Sequence, residues 1–399
     1  SSPNPSFPKK TLKFFGDGGL GEGPFVHKRS FPQVPLCHCM LILGIETSCD
    51  DTGLALASAR AILAERLASQ ADVHSLFGGV VPEIASREHL RMLAPLLTGV
   101  LRDAGACPGD ITDVAVARGP GLLGSLLVGM SLAKGLCLAT GARLVGVDHL
   151  MAHLMAPGMD EQLRFPAIGL LASGGHTHLY RIDSPVGFHL LGRTLDDAAG
   201  EAFDKAAKLL NLPYPGGRFI DLLGALAPPD PKLFPKPYLS NQNLDFSFSG
   251  LKTAVAAYVA AHPGLRRPRQ SSPARIEANP EQFADLALVC SSLNYAVAQT
   301  LRVKTERALD ANPDAAALIV AGGVAANSVI RAAMAELATR RGLVLHLPRA
   351  SLCGDNAAMI AHMGRLLAAR GLGHDLTLEV VPRGRAVPWD YLPRDPESV

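Results

Sequence analysis

The sequence predicts an α/β protein of two lobes, on three observations. Apolar strands alternate with helical segments along most of the chain. A strand–turn–strand hairpin occurs twice, once in each of two successive sets of elements. A length of 399 residues with 48% hydrophobic content is ample for two packed cores.

The first set opens abruptly after Met40. It has strands at 41–46, 53–58, 114–118 and 143–147, a helix at about 122–140, and a short helix that starts at His149. After Phe165-Pro166 comes the second set, with strands at 167–172, 177–182, 187–191, 316–321 and 343–347. Its helices lie near 198–210, 250–261, 281–309, 325–340 and 355–369. Segments 228–237 and 263–280 are too rich in proline for element interiors and read as surface loops. The second carries Arg266, Arg267, Arg269 and Arg275, a modest basic patch that suits an RNA backbone as well as it suits a solvated loop.

Residues 1–39 show no helical or alternating period and no apolar core like that of a secretory signal, so they are expected to lie outside the fold as a disordered leader or tag. An organelle-targeting segment is the other reading, which leaves a mitochondrial location open beside a cytoplasmic one. Lys9, Lys10, Lys13, Lys28 and Arg29 against Asp17 and Glu22 make this stretch +3, so the rest of a +2 chain is −1. That balance excludes a uniformly basic nucleic-acid binder; any RNA contact must be local. The longest apolar runs are broken by Gly, Ser, Lys or Arg before the roughly 18 residues of a membrane span. Seven scattered cysteines fit a reducing compartment better than a disulfide framework. Cys37 and Cys39 flank His38, yet without a second ligand pair they read as an ordinary segment.

Several motifs carry chemistry. His149 and His153 sit four apart, which on a helix puts both imidazoles on one face at chelating distance. Position 150 is Leu, where a zinc protease of the usual kind places its general-base Glu, so proteolysis loses its main support. Asp355, at the start of a helix, reads locally as an N-cap more readily than as a ligand. The hairpin turns Glu46-Thr47-Ser48-Cys49-Asp50-Asp51-Thr52-Gly53 and Ser173-Gly174-Gly175-His176-Thr177 offer N–H groups and hydroxyls suited to phosphate oxygens, with Ser48 and Asp50 as candidate contacts. Either turn alone reads more readily as an ordinary hairpin. Gly322-Gly323, between a buried strand and a helix, admits a nucleotide or merely close packing. Asp197, Glu201 and Asp204 share a helical face next to Asp196 and can bind substrate hydroxyls or ammonium, although Lys205 and Lys208 also permit a solvated face. Tyr214-Pro215-Gly216-Gly217 is a tight turn.

Taken in order, Gly44 to Thr52, the His149/His153 pair, Ala172-Ser173-Gly174-Gly175-His176-Thr177, Asp196 to Lys205, Phe246 to Thr253, Gly322 to Asn327 and Asp355-Asn356 resemble the TsaD threonylcarbamoyltransferase family. The resemblance runs from Met40 to about Gly364 and implies the actin/Hsp70/sugar-kinase fold, two duplicated lobes with a ligand cleft between them. It implies a first lobe of 40–165 plus about 355–385, a second lobe of 166–354, and a tail of 386–399. It makes Asp355 the third ligand, with His149 and His153, of one divalent metal, iron in preference to zinc. It implies substrate contacts at Leu171, Ala172, Ser173, Gly174, Gly175, Asp204, Gly217 and Asn327, and puts Gly322 and Gly323 near the adenosine. The activity it implies is transfer of threonylcarbamoyl from threonylcarbamoyl-AMP to N6 of the adenosine beside the anticodon of tRNA, releasing AMP. A degenerate paralogue and a small ATPase are the implied partners in bacteria, and no membrane is implied. The basic, Trp-containing segment 383–389 is longer than the family's usual tail. Two other readings remain: an actin-like ATPase or chaperone without group transfer, and a metalloprotease.

Overall fold

The computed structural model describes residues 26–29, 40–267 and 272–393. Its first half contains β1 (Val26–Arg29), β2 (Leu41–Glu46), β3 (Asp51–Ser58), β4 (Ile62–Ser69), α1 (Ala71–Ser75), α2 (Pro82–Ala104), β5 (Asp113–Gly119), α3 (Leu123–Thr140), β6 (Arg143–Asp148) and α4 (His149–Met155). The second half contains β7 (Ala167–Ala172), β8 (Thr177–Ser184), β9 (Gly187–Arg193), α5 (Ala199–Leu209), α6 (Gly216–Gly224), α7 (Ser249–Ala261), α8 (Pro273–Ala278) and α9 (Ala287–Asp310). It ends with β10 (Ala317–Ala321), α10 (Ser328–Arg341), β11 (Val344–His346) and α11 (Ala357–Ala368).

The duplication is explicit in the strand order. One sheet runs β4-β3-β2-β5-β6 and the other β9-β8-β7-β10-β11. In each, the first three strands in sequence pair antiparallel and the next two add in parallel. This is the two-lobed actin-like α/β fold. β1 adds to the first sheet by pairing antiparallel with β4, which corrects the expectation that all of 1–39 lies outside the fold. Edge pairing uses main-chain groups and needs no side-chain period. The Cys37-His38-Cys39 motif lies outside the described residues.

Strand parity assigns the faces. Ile42, Ala115, Ala117, Val145 and Val147 join Leu171, Ala317, Ile319 and Ala321 in one core that also holds α4 and α11. Their strand neighbours Leu41, Leu43, Ile45, Val114 and Val116 pack outward with α2 and α3, and Leu170, Ala172, Leu318 and Val320 pack outward with α5 to α7, α9 and α10. The alternation follows from the two-residue pleat. Two helices are thus sandwiched between two sheets. α11 lies very close to β2: a Cβ on Gly44 would come within 2.6 Å of both Ala357 O and Ala361 N. Small residues on both sides set that approach, and Glu65 Oε1 of β4 accepts the Ala358 N–H at 2.9 Å.

Sequence reading missed β4, α1, α2, α6 and α8, the last inside the segment 263–280 that reads as a loop. Glu65 and Arg66 disguise β4, and Pro95 disguises α2, although Ala85, His89, Leu93, Leu96 and Val100 form its buried stripe. Among the described residues α3 is long and apolar enough to cross a membrane, with mean hydropathy 1.5, so the expectation that no run qualifies is corrected. This helix packs on β5 and α2.

Gly44→Ala is expected to cost about 1–3 kcal/mol through overpacking, read as a Tm lowered by several degrees; an unchanged melt would contradict the close approach. A second expectation concerns His362, which burial, with the Arg365 charge, holds down to about 3. The unfolded chain takes up that proton below about 6.5, so this residue costs stability as pH falls from there towards 3. His362→Gln should therefore flatten the acid side of the stability curve by up to about 1.4 kcal/mol per pH unit, measured by denaturant melts between pH 6.5 and 4.

Candidate metal centre

Strand β6 delivers the chain directly into α4, whose first residue is His149. Asp148 caps the helix, its Oδ1 accepting from Leu150 N at 2.8 Å and Met151 N at 3.3 Å. One turn on, His153 presents its ring beside that of His149, with centroids 4.7 Å apart and planes at 83°. Both imidazoles are buried. From the far side comes Asp355: its Oδ1 lies 3.0 Å from His153 Nε2 and 3.5 Å from His149 Nε2. Among the described residues these are the group whose ligand atoms all lie within 4.8 Å of one another and could hold a metal ion.

The local expectation that Asp355 caps α11 is not what the fold does. Asn356 is the cap, its Oδ1 accepting from Met359 N at 2.9 Å. The carboxylate one residue earlier is therefore left to face α4.

Electrostatics make the cluster a receptor for positive charge. Burial pulls the His149 pKa down, but the charges of Glu46 and Asp355 outweigh it and hold it up to about 9. Burial lowers that of His153. Burial would raise Asp355, yet the two histidines draw it well below the usual carboxylate range. Two imidazole nitrogens and one carboxylate oxygen converging in a protected site fit a divalent transition metal, and that donor set accommodates both iron and zinc.

The remaining candidates are each held by contacts of their own. Ser48 Oγ is 3.3 Å from His149 Nδ1, and Asp50 accepts from Tyr214 Oη at 3.4 Å, a contact from the first hairpin turn to the α5–α6 connection. Leu171 and Ala172 bury their side chains in opposite cores, so they can offer substrate main-chain groups alone. The Ser173 turn is closed by Ser173 N donating to His176 O at 2.8 Å, and a Cβ on Gly174 would meet nothing within 4 Å. Gly322 has φ +91, and a Cβ there would lie 2.4 Å from Ala172 O, so it must be glycine; Gly323 faces open space. Asn327 caps α10, accepting from Val329 N and Ile330 N, while its amide donates to Asn294.

The acidic cluster is not one helical face. Asp196 and Asp197 precede α5. Asp196 instead pins Ser247, Phe248 and Ser249, and Lys205 pairs with both Asp197 and Glu201. Asp204 alone turns to the start of α6, accepting from Gly216 N at 2.7 Å, and burial raises its pKa to about 6. In the basic patch, Arg267 pairs with Asp285 and lies over the Phe283 ring. Arg269 lies outside the described residues.

Two contributors were not singled out from sequence. Glu46 meets His149 from the end of β2, and its parity with Ile42 and Gly44 was the available signal. Arg383 joins both lobes: its N–H donates to Gly121 O at 2.8 Å, and its guanidinium reaches Gly175 O and Glu201, each at 3.3 Å. No local pattern announces that contact.

Fold and site together define an actin-like two-lobed protein with a candidate cation centre between its sheets. The family model for TsaD, tRNA N6-adenosine threonylcarbamoyltransferase, matches residues 61–362, and the chain belongs to that family. A tRNA N6-adenosine threonylcarbamoyltransferase of Solidesulfovibrio magneticus is 60% identical over 354 residues, 88% of this chain and 95% of that protein. One from Nitratidesulfovibrio vulgaris is 58% identical, again over 88% of this chain and 98% of the relative. Among solved structures, component A of the Acidaminococcus fermentans (R)-2-hydroxyglutaryl-CoA dehydratase aligns over 83% of this chain and 99% of its own, at 14% identity and a TM-score of 0.46.

Purified protein is expected to bind about one divalent ion per chain, and Asp355→Ala, His149→Ala or His153→Ala each to lower that content, measured by inductively coupled plasma mass spectrometry. Asn356→Ala should instead cost about 1 kcal/mol of stability as a lost cap and keep the ion.

Proposed function

We propose that this chain transfers the threonylcarbamoyl group from threonylcarbamoyl-AMP to N6 of the adenosine 3′-adjacent to the anticodon, in tRNAs reading codons that begin with adenine, and releases AMP. One observation carries the reading: two imidazoles and a carboxylate converge within 4.8 Å of one another in a chain whose family is named for that transfer.

In this reading His149, His153 and Asp355 hold the metal, iron in preference to zinc. When bound, the ion supplies a Lewis acid and a template for substrate oxygens. The protein's part is positioning. The Ser48–Asp50 and Ser173–Gly175 turns hold the adenylate from opposite lobes through main-chain N–H groups and hydroxyls. Leu171 and Ala172 contribute main chain, Gly322 and Gly323 let the adenosine approach the backbone, and Asp204, Gly217 and Asn327 complete the substrate contacts. Burial of Ser48, His149 and His153 keeps water from that side of the site, where it would otherwise compete with the adenine amine for the activated carbamoyl carbon. The working lobes are 40–165 with about 355–385, and 166–354. A degenerate paralogue and a small ATPase are the proposed partners, and the cytoplasm the proposed compartment.

The test is mass spectrometry of tRNA nucleosides after depletion, with rescue by wild type or Asp355→Ala. Threonylcarbamoyladenosine should fall on depletion, return with wild type and stay low with the variant. Unchanged modification on depletion would overturn the assignment.

A further inference from the structure

Glu46 ends β2 fully buried, and both of its carboxylate oxygens are engaged. Oε1 accepts the Ser48 N–H at 2.6 Å, and Oε2 lies 2.9 Å from His149 Nδ1. A buried carboxylate is costly unless it is hydrogen-bonded, and here its partners are a candidate metal ligand and the turn that follows β2. The other nitrogen of the same ring, Nε2, is the atom that faces Asp355. An acceptor on Nδ1–H leaves the Nε2 lone pair directed at a cation. His153 has no equivalent: its Nδ1 is buried without a hydrogen-bond partner among the described residues.

We propose that Glu46 is the positioning residue of this centre, fixing His149 as the Nδ1–H tautomer and coupling ion occupancy to the Thr47–Ser48 turn. Because one carboxylate spans the ligand and the turn, a shift of the ring moves Oε2 and with it Oε1, which accepts from Ser48 N. Thr47 Oγ1 donates to Ser125 O at 2.9 Å and Leu122 N donates to Ser48 O at 2.8 Å; these bonds hold the turn on either side of Ser48 N and leave Glu46 as its link to the His149 ring. Movement at His149 is therefore transmitted to the candidate phosphate contact. This inference rests on the metal reading of His149, His153 and Asp355, and not on the identity of the transferred group.

The test uses Co²⁺ as a spectroscopic probe of the metal-free full-length chain, wild type against Glu46→Ala and Glu46→Gln. Affinity is read by chelator competition, ligand geometry by the d–d bands, and the turn by hydrogen exchange with and without Co²⁺. Glu46→Ala should bind about 10–100-fold more weakly, with altered bands and no ion-dependent protection of the 46–50 peptide. Glu46→Gln should lose less, because its amide oxygen still accepts from Nδ1–H while its NH₂ opposes Ser48 N–H. Wild-type affinity and bands in Glu46→Ala would overturn the proposal; should that variant not fold, wild-type affinity and protection in Glu46→Gln would do so. A wild-type chain that binds no Co²⁺ overturns the metal reading and this inference with it. Weakened binding in Glu46→Ala, alongside tRNA modification that does not depend on the protein, would sink the transfer reading and leave the role of Glu46 standing.

Discussion

The near-contact of α11 with β2 is the constraint on which the rest depends. Gly44 has no side chain to hold Ala357 and Ala361 away, so the helix lies against the strand at backbone distance. Gly364 repeats the arrangement one strand over, where a Cβ would lie 2.4 Å from that of Ala115. The same helix packs on α4. A helix seated one methyl further out would carry Asp355 away from the two imidazoles by a distance comparable with the site itself. Packing at small residues thus becomes coordination geometry.

That geometry concentrates charge in a place that resists it. Glu46, His149 and His153 are all buried, and Asp355 joins them from the start of α11. Burial disfavours the ionised forms of His149, His153 and Asp355; the two histidines keep Asp355 ionised, and the charges of Glu46 and Asp355 keep His149 protonated. A cluster that must borrow a proton to balance its acids is one that a divalent ion can satisfy better. The fold places this centre between sheets of identical strand order, with a polar hairpin turn from each one nearby. Arg383 adds a direct tie, its main chain on the Gly121 segment and its guanidinium on the second hairpin.

Much of this was legible in the sequence because it is local. The unbroken apolar runs of 41–45 and 167–172, the helix spacing of His149 and His153, and the repeat of strand, polar turn and strand are properties of neighbouring residues, and the structure reproduces them. The failures are equally physical. β4 went unseen because Glu65 and Arg66 interrupt its apolar pattern, and each is used by a partner remote in sequence: Ala358 N for the one and Asp103 for the other. Asp197, Glu201 and Asp204 looked like one face because their spacing is helical, although Asp197 precedes α5.

Sequence by itself determined the alternation of elements, the duplication and the histidine pair, since each depends on periods of two or about four residues along the chain. Family resemblance named Asp355 as a ligand where local pattern favoured a cap. Tertiary structure alone decided why: Asn356 takes the cap, and α11 brings Asp355 to within 3.0 Å of a ring 202 positions away. It also decided that Glu46 holds His149 from across the core, at a separation of 103 positions. Contacts at such separations leave no periodic trace, because they are set by how closely two packed elements approach and not by the order of residues within either.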